Sequence, residues 1–235
     1  NGVQQAAIKG NIWRSSFEKI KKELGGSAES VLQVGSEIVF NCTVSFHEVH
    51  GLSLLIDAID LSFMLGELER RKAEAILKIK KEGKHLLNAS LPLPLVIQKI
   101  ALVGSPGTAG FRDFVKHVID NDFLFRYDIQ VYATAVQGVD APKQLSKAIL
   151  QADADNPDVI VVLRGGGSPM DLDCFNNYNL AIDISSLQVP VLTGIGHEAD
   201  FSLADLVANR DFKTPTDVGD FIVDRTNAFS STLVD

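Results

Sequence analysis

Three short stretches of this chain combine residue types that could do chemistry. The first is Arg164-Gly165-Gly166-Gly167-Ser168, which follows the apolar run Val159-Ile-Val-Val-Leu163. Three glycines in a row pack nothing and carry a high entropy cost, so the loop makes sense where something must approach the backbone closely. A strand that passes through glycines into a helix exposes backbone N–H groups and the positive end of a helix dipole, which together suit a phosphate. Ser168 and Asp171 have capping-box spacing with Pro169 at the first helical position, which sets a helix start directly behind the glycines. Arg164 can add a bidentate grip on phosphate oxygens. A tight turn with the arginine facing solvent is the plainer alternative.

The second stretch is Gly194-Ile-Gly-His197-Glu-Ala-Asp200. Histidine is the natural general acid or base near neutral pH, although a lone histidine is more often structural. Asp200 can orient the imidazole or take a proton itself. It also stands before Phe-Ser-Leu-Ala-Asp, where a helix N-cap is expected. The third stretch is Gly104-Ser105-Pro-Gly-Thr-Ala-Gly-Phe-Arg112-Asp113. Asp113, a turn into a helix, is a solvated residue by itself and a water-positioning group if the loops converge. Ser105 and Arg112 join Gly165, Gly166, Gly167 and Ser168 as candidate phosphate contacts.

The elements that must position these loops alternate regularly. Strands are expected at Ile97–Val103, Asp128–Thr134, Asp158–Leu163 and Val189–Thr193. The first intervening helix carries Phe111, Val115, Val118 and Ile119 on one face. The second carries Leu145, Ala148, Ile149 and Ala152 at helical spacing. Further helices are expected at about 170–182 and 201–208. Such alternation with short loops predicts an α/β fold, a parallel sheet with helices on both faces. In an open parallel sheet ligands bind beyond the carboxyl ends of the strands, and all three stretches leave such ends.

The first sixty residues read differently. Glu37–Phe46 alternates apolar and polar residues as a half-buried strand does, and Leu52–Ile59 is its hairpin partner across His50-Gly51. Residues 11–24 form a short helix between strands, in a small antiparallel sheet or barrel. Residues 65–87 form a basic amphipathic helix closed near Gly83, whose charges line a nucleic-acid path or, slightly favoured, a solvated face. Leu91-Pro-Leu-Pro94 follows as a stiff linker.

Composition bounds the rest. The 235 residues are 46% hydrophobic and 22% charged, with a formal charge of −8 that argues against coating nucleic acid by bulk electrostatics. Cys42 and Cys174 form no disulfide framework and no metal-ligand spacing, and Cys174 reads as buried filler. No run approaches a membrane span and no export signal opens the chain, which points to a reducing, cytoplasmic setting. His47, His50, His85 and His117 have no clustered partners. Asn1 and Asp235 read as cut ends of a longer protein.

Four stretches in series resemble the large subunit of exonuclease VII, a bacterial nuclease of single-stranded DNA. They are Ile100-Ala-Leu-Val-Gly-Ser-Pro with Phe111-Arg-Asp113; Ala133-Thr-Ala-Val-Gln-Gly138; Arg164-Gly-Gly-Gly-Ser168 with Asp171-Leu172 and Phe175-Asn176; and Gly196-His-Glu-Ala-Asp-Phe201 with Ala204-Asp205. The likeness is firm over 97–217 and weaker over 1–60. It departs in the first loop, which reads Ser-Pro-Gly-Thr-Ala-Gly, and at Met170, where an acidic residue is common. It implies a partial OB-fold-like, strand-binding segment over 1–60 and a basic linking helix and linker over 61–95. A catalytic domain over 96–217 and the first turns of a coiled coil from 218–235 complete the division. It places catalytic roles on Asp113, Arg164, His197 and Asp200. It also implies single-stranded DNA as substrate and a small subunit recruited through the coiled coil. No divalent metal is required on this reading, with stimulation by Mg2+ left open.

Two rival readings remain at this point. A nucleotide-using kinase would want a metal-binding Asp among the glycines, where this loop has Ser168. A non-catalytic strand-binding module would leave Arg164, His197 and Asp200 without a reason.

Overall fold

The computed structural model describes residues 8–24, 38–49, 51–138, 140–164, 169–196 and 201–233. Gly165–Ser168, His197, Asp200 and the turn residue His50 lie outside the described residues, as do the side chains of Asp171 and Leu65. The chain forms two compact units that divide between Arg71 and Lys72.

In the first unit β1 (Lys9–Ile12), α1 (Arg14–Leu24), β2 (Phe40–His47) and β3 (Gly51–Ile59) build a three-stranded sheet ordered β1-β3-β2. The expected hairpin is present: β2 and β3 are antiparallel, with Phe46 opposite Leu52 and Gly51 in the left-handed region at φ 72°. Two expectations change. The sheet is mixed, because β1 joins β3 in parallel. β2 is exposed along nearly its whole length, with Val44 and Phe46 both open, since it is an edge strand and the central β3 takes the burial. The helix α2 (Leu61–Lys81) follows, and Gly83 closes it at φ 67°, where a side chain would be strained.

The second unit holds the expected parallel sheet. Its strands are β4 (Lys99–Gly104), β5 (Asp128–Ala133), β6 (Val159–Leu163), β7 (Val191–Gly194) and β8 (Arg210–Phe212), in the order β5-β4-β6-β7-β8. Every pairing is parallel. All five residues of β6 are buried, as a strand covered on both faces requires. β8 was not expected from the sequence; three residues carry too little periodicity to announce a strand.

Helices α3 (Ala109–Ile119) and α7 (Pro215–Thr232) cover one face, where Phe111, Phe114, Val118, Val218 and Ile222 meet Ile100, Leu102, Val161 and Leu192. Phe114 takes the buried place in α3 and Ile119 is 63% exposed, which rotates the expected apolar face by part of a turn. Helices α4 (Ala141–Ala154), α5 (Tyr178–Ser186) and α6 (Leu203–Val207) cover the other face. There Leu145, Ala148, Ile149 and Ala152 are buried as expected, together with Ile79 from the end of α2. The expected helix at 170–182 is instead a 3-10 stretch over Pro169–Asn176 followed by α5, whose N-cap Asn177 accepts from the Leu180 N–H at 3.1 Å. Cys174 is buried beside Phe175, with its thiol 3.0 Å from the Val136 carbonyl.

The proline segment is fastened to this unit rather than standing off as a spacer. Arg225 donates to the Leu93 carbonyl at 2.8 Å, and Asn209 donates to the Asn88 and Leu91 carbonyls at 2.7 and 2.9 Å. The fully buried Asn88 bridges the Val189 carbonyl and the Val191 N–H at 2.9 and 2.8 Å. The boundary expected at 217/218 falls inside α7, whose first half is part of the helical layer. Among the described residues no helix is long and apolar enough to cross a membrane.

Candidate active site

The strand order β5-β4-β6-β7-β8 is the doubly wound 2-1-3-4-5 order. It reverses between β4 and β6, and the crevice outside the carboxyl ends of those two strands is where such sheets bind ligands. β4 ends in Gly104 and passes to Ser105; β6 ends in Leu163 and passes to Arg164. β7 lies on the other side of β6, with Gly194 in register with Leu163. The sheet therefore sends all three candidate loops out from adjacent strands along one edge.

The glycines at the strand ends answer to close approach. A Cβ on Gly104 would stand 3.0 Å from the Leu163 carbonyl oxygen. One on Gly194 would stand 2.9 Å from Val218 and 3.0 Å from Leu163. The Arg164 N–H donates to the Gly194 carbonyl at 3.2 Å, which extends the β6–β7 ladder to the residue before the glycine run. Arg164 is buried, at 9% exposure, so the arginine does not spread into solvent as the plainer alternative required.

On the first loop, Thr108 hydrogen-bonds the Ser105 carbonyl through both its N–H and its hydroxyl, at 3.0 and 2.8 Å. Thr108 is the N-cap of α3 but its side chain caps no helical N–H, so the first turn presents its amides at the sheet edge. Ser105 is half-buried there. Arg112 and Asp113 are exposed on α3. Asp113 lines an open cleft of about 600 Å³ between α3 and α7, with Lys116, His117, Thr216 and Asp220 among its neighbours.

His117 does have a partner, contrary to the sequence reading. Its Nε2 lies 2.6 Å from Asp220 Oδ1, and Gly219 admits the ring, since a Cβ there would stand 2.8 Å from His117 Cδ2. Asp220 is distant in sequence, and no local pattern links the two. In the basic run, Arg70 and Arg71 are spent on Glu67 at 2.7 and 2.9 Å, which holds its carboxyl down at about 2. Lys78 lies over the Tyr178 ring at 4.0 Å, a packing role for a charge read as solvated.

The N-cap place before α6 belongs to Ser202 rather than Asp200. Ser202 and Asp205 form a reciprocal capping box. Asp205 was legible as part of a motif, and its Ser-x-x-Asp spacing is the signal that a role in the loop could have been read from. Its carboxyl is buried, and burial raises its pKa, with Asp211 pushing the same way and hydrogen bonds from Thr193 and Ser202 opposing. A pKa raised on folding means that ionisation opposes the fold. The contribution is fully present below the ordinary aspartate range and is lost as pH rises through the raised value. Asp205→Asn is therefore expected to melt with less dependence on pH above about pH 4 than the parent, in thermal scans across the acid and neutral range. Superimposable pH profiles would remove this assignment.

Among the described residues no three acidic, histidine or cysteine side chains come together as metal ligands would. Fold and edge together define an open α/β protein whose three candidate loops follow strands at a topological switch point. The family described as exonuclease VII, large subunit, matches residues 87–235. The chain is 36% identical over 183 residues to an exodeoxyribonuclease 7 large subunit of Legionella pneumophila (strain Paris), covering 77% of this chain and 41% of the relative. The corresponding protein of Vibrio parahaemolyticus is 34% identical over 200 residues, 83% of this chain and 43% of its own length. That of Campylobacter hominis is 35% identical over 182 residues, 77% and 46%. The chain belongs to the exonuclease VII large-subunit family and spans less than half the length of these relatives.

Proposed function

We propose that this chain carries the catalytic core of an exodeoxyribonuclease that hydrolyses phosphodiester bonds of single-stranded DNA to oligonucleotides. The observation that carries the reading is a buried Arg164 at the end of the central strand, flanked by glycine-ended β4 and β7, at the switch point of a family member's sheet. Arg164 and the Gly165–Gly167 amides hold and neutralise the phosphate as charge develops in the pentacovalent transition state. His197 moves a proton, from the attacking water or to the leaving oxygen, and Asp200 or Asp113 orients it or serves as its counterpart. The uncapped first turn of α3, with Ser105 and Arg112, offers further phosphate contacts.

In the first unit the exposed Trp13 and Phe46 supply rings on which bases of a single strand could stack, which supports an OB-fold-like binding role. The partners proposed are single-stranded DNA and a small subunit recruited through a coiled coil, with the complex acting in the cytoplasm. Metal is proposed as dispensable. The test is incubation of the full-length large subunit and its small subunit with end-labelled single-stranded DNA, with and without chelator. Release of oligonucleotides in both is expected. Binding without cleavage would reduce the chain to a binding module, and cleavage lost in chelator would overturn the metal-free route.

A further inference from the structure

The segment carrying His197 runs between β7, which ends at Gly194, and α6, which starts at Leu203. Both of its flanks are fastened to one buried carboxylate. Thr193, in β7, donates its hydroxyl to Asp205 Oδ1 at 2.6 Å. On the far side Ser202 donates its N–H and its hydroxyl to Asp205 Oδ2 at 2.9 and 2.7 Å. The Asp205 N–H returns a bond to Ser202 Oγ at 3.2 Å. Thr193, Ser202 and Asp205 are all buried.

A capping box alone does not call for this. The box at α7, Thr214 with Asp217, closes within its own helix start, whereas Asp205 sends its second oxygen across to a strand. The helix it caps is five residues long, too short to repay a buried carboxylate by itself. A second tie comes from the end of the 3-10 stretch: Asn176 Oδ1 accepts from the Leu203 N–H at 3.2 Å, joining that stretch to the start of α6.

We infer that Asp205, with Thr193 and Asn176, is a positioning residue that fixes the end of β7 relative to the start of α6, the two anchors of the segment that carries His197. The inference rests on the proposed catalytic roles of His197 and Asp200. Asp205 touches neither substrate nor water on this reading and acts through the segment whose ends it joins.

The test uses the full-length large subunit assembled with its small subunit on labelled single-stranded DNA. Thr193→Val keeps the shape and removes the hydroxyl; Thr193→Ser keeps the hydroxyl. Thr193→Val is expected to lower kcat by about 10- to 100-fold with KM unchanged, per folded enzyme counted by circular dichroism. Thr193→Ser is expected to recover most of the rate. Wild-type kcat in Thr193→Val, or equal losses in both variants, overturns the inference. His197→Ala run alongside separates the two layers. If it is inactive while Thr193→Val is normal, the positioning role alone fails. If it is fully active, the catalytic reading fails and the positioning role with it.

Discussion

Replacing His197 with alanine in the assembled enzyme is expected to lower hydrolysis of single-stranded DNA by about 10³-fold or more while strand binding changes little. Positioned general acid–base catalysis is worth about 10² to 10⁴ in rate, and imidazole is the one side chain in the three loops that both gives and takes a proton near neutrality. On the proposed reading, binding draws on other groups: Arg164, the glycine run, the first turn of α3 and the exposed rings of the first unit. His197→Asn, which keeps a polar side chain but cannot titrate, should be equally silent. A gel-shift titration beside a cleavage time course decides the matter. Cleavage by His197→Ala within tenfold of the parent, in rate and pH profile, would mean that proton transfer belongs elsewhere.

Arg164→Lys is expected to cost about 10² to 10³ in kcat, the range for losing one preorganised donor to a developing oxyanion. Lysine keeps the charge and much of the apolar stem, so the packing of this buried position is largely retained. It lacks the planar fork that grips two phosphate oxygens at once, and its ammonium is a single point charge. Arg164→Ala should lose at least as much rate, and some stability as well, because it empties a site at the end of the central strand. Comparing melting temperatures with kcat for the two variants distinguishes the contributions. A lysine variant that cleaves at the parental rate would show that charge suffices and would remove the bidentate grip.

The two effects are assigned to residues that follow adjacent strands. β6 and β7 are adjacent and in register at Leu163 and Gly194, so the loops that follow begin at neighbouring points of one edge. The Leu203 N–H bond to Asn176 also joins the start of α6 to the end of the 3-10 stretch.

Much of this molecule is written locally. The four expected strand runs of the parallel sheet, the Leu145–Ala152 helix face and the left-handed Gly83 each follow from a few neighbouring residues, because strand and helix periods and glycine stereochemistry are short-range properties. What required the folded chain are pairings between residues far apart in sequence. The parallel β1–β3 pair, the three-residue β8, the turn of α3 that buries Phe114 in place of Ile119, and the clamp of Arg225 on Leu93 all depend on which surfaces meet. The same holds at the site. Composition and spacing picked out Arg164 and His197 as chemistry, but that Asp205 spans Thr193 and Ser202, or that Asp220 reaches His117, is decided only when separate elements pack. A hydrogen bond across a tertiary contact leaves no period in the chain that makes it.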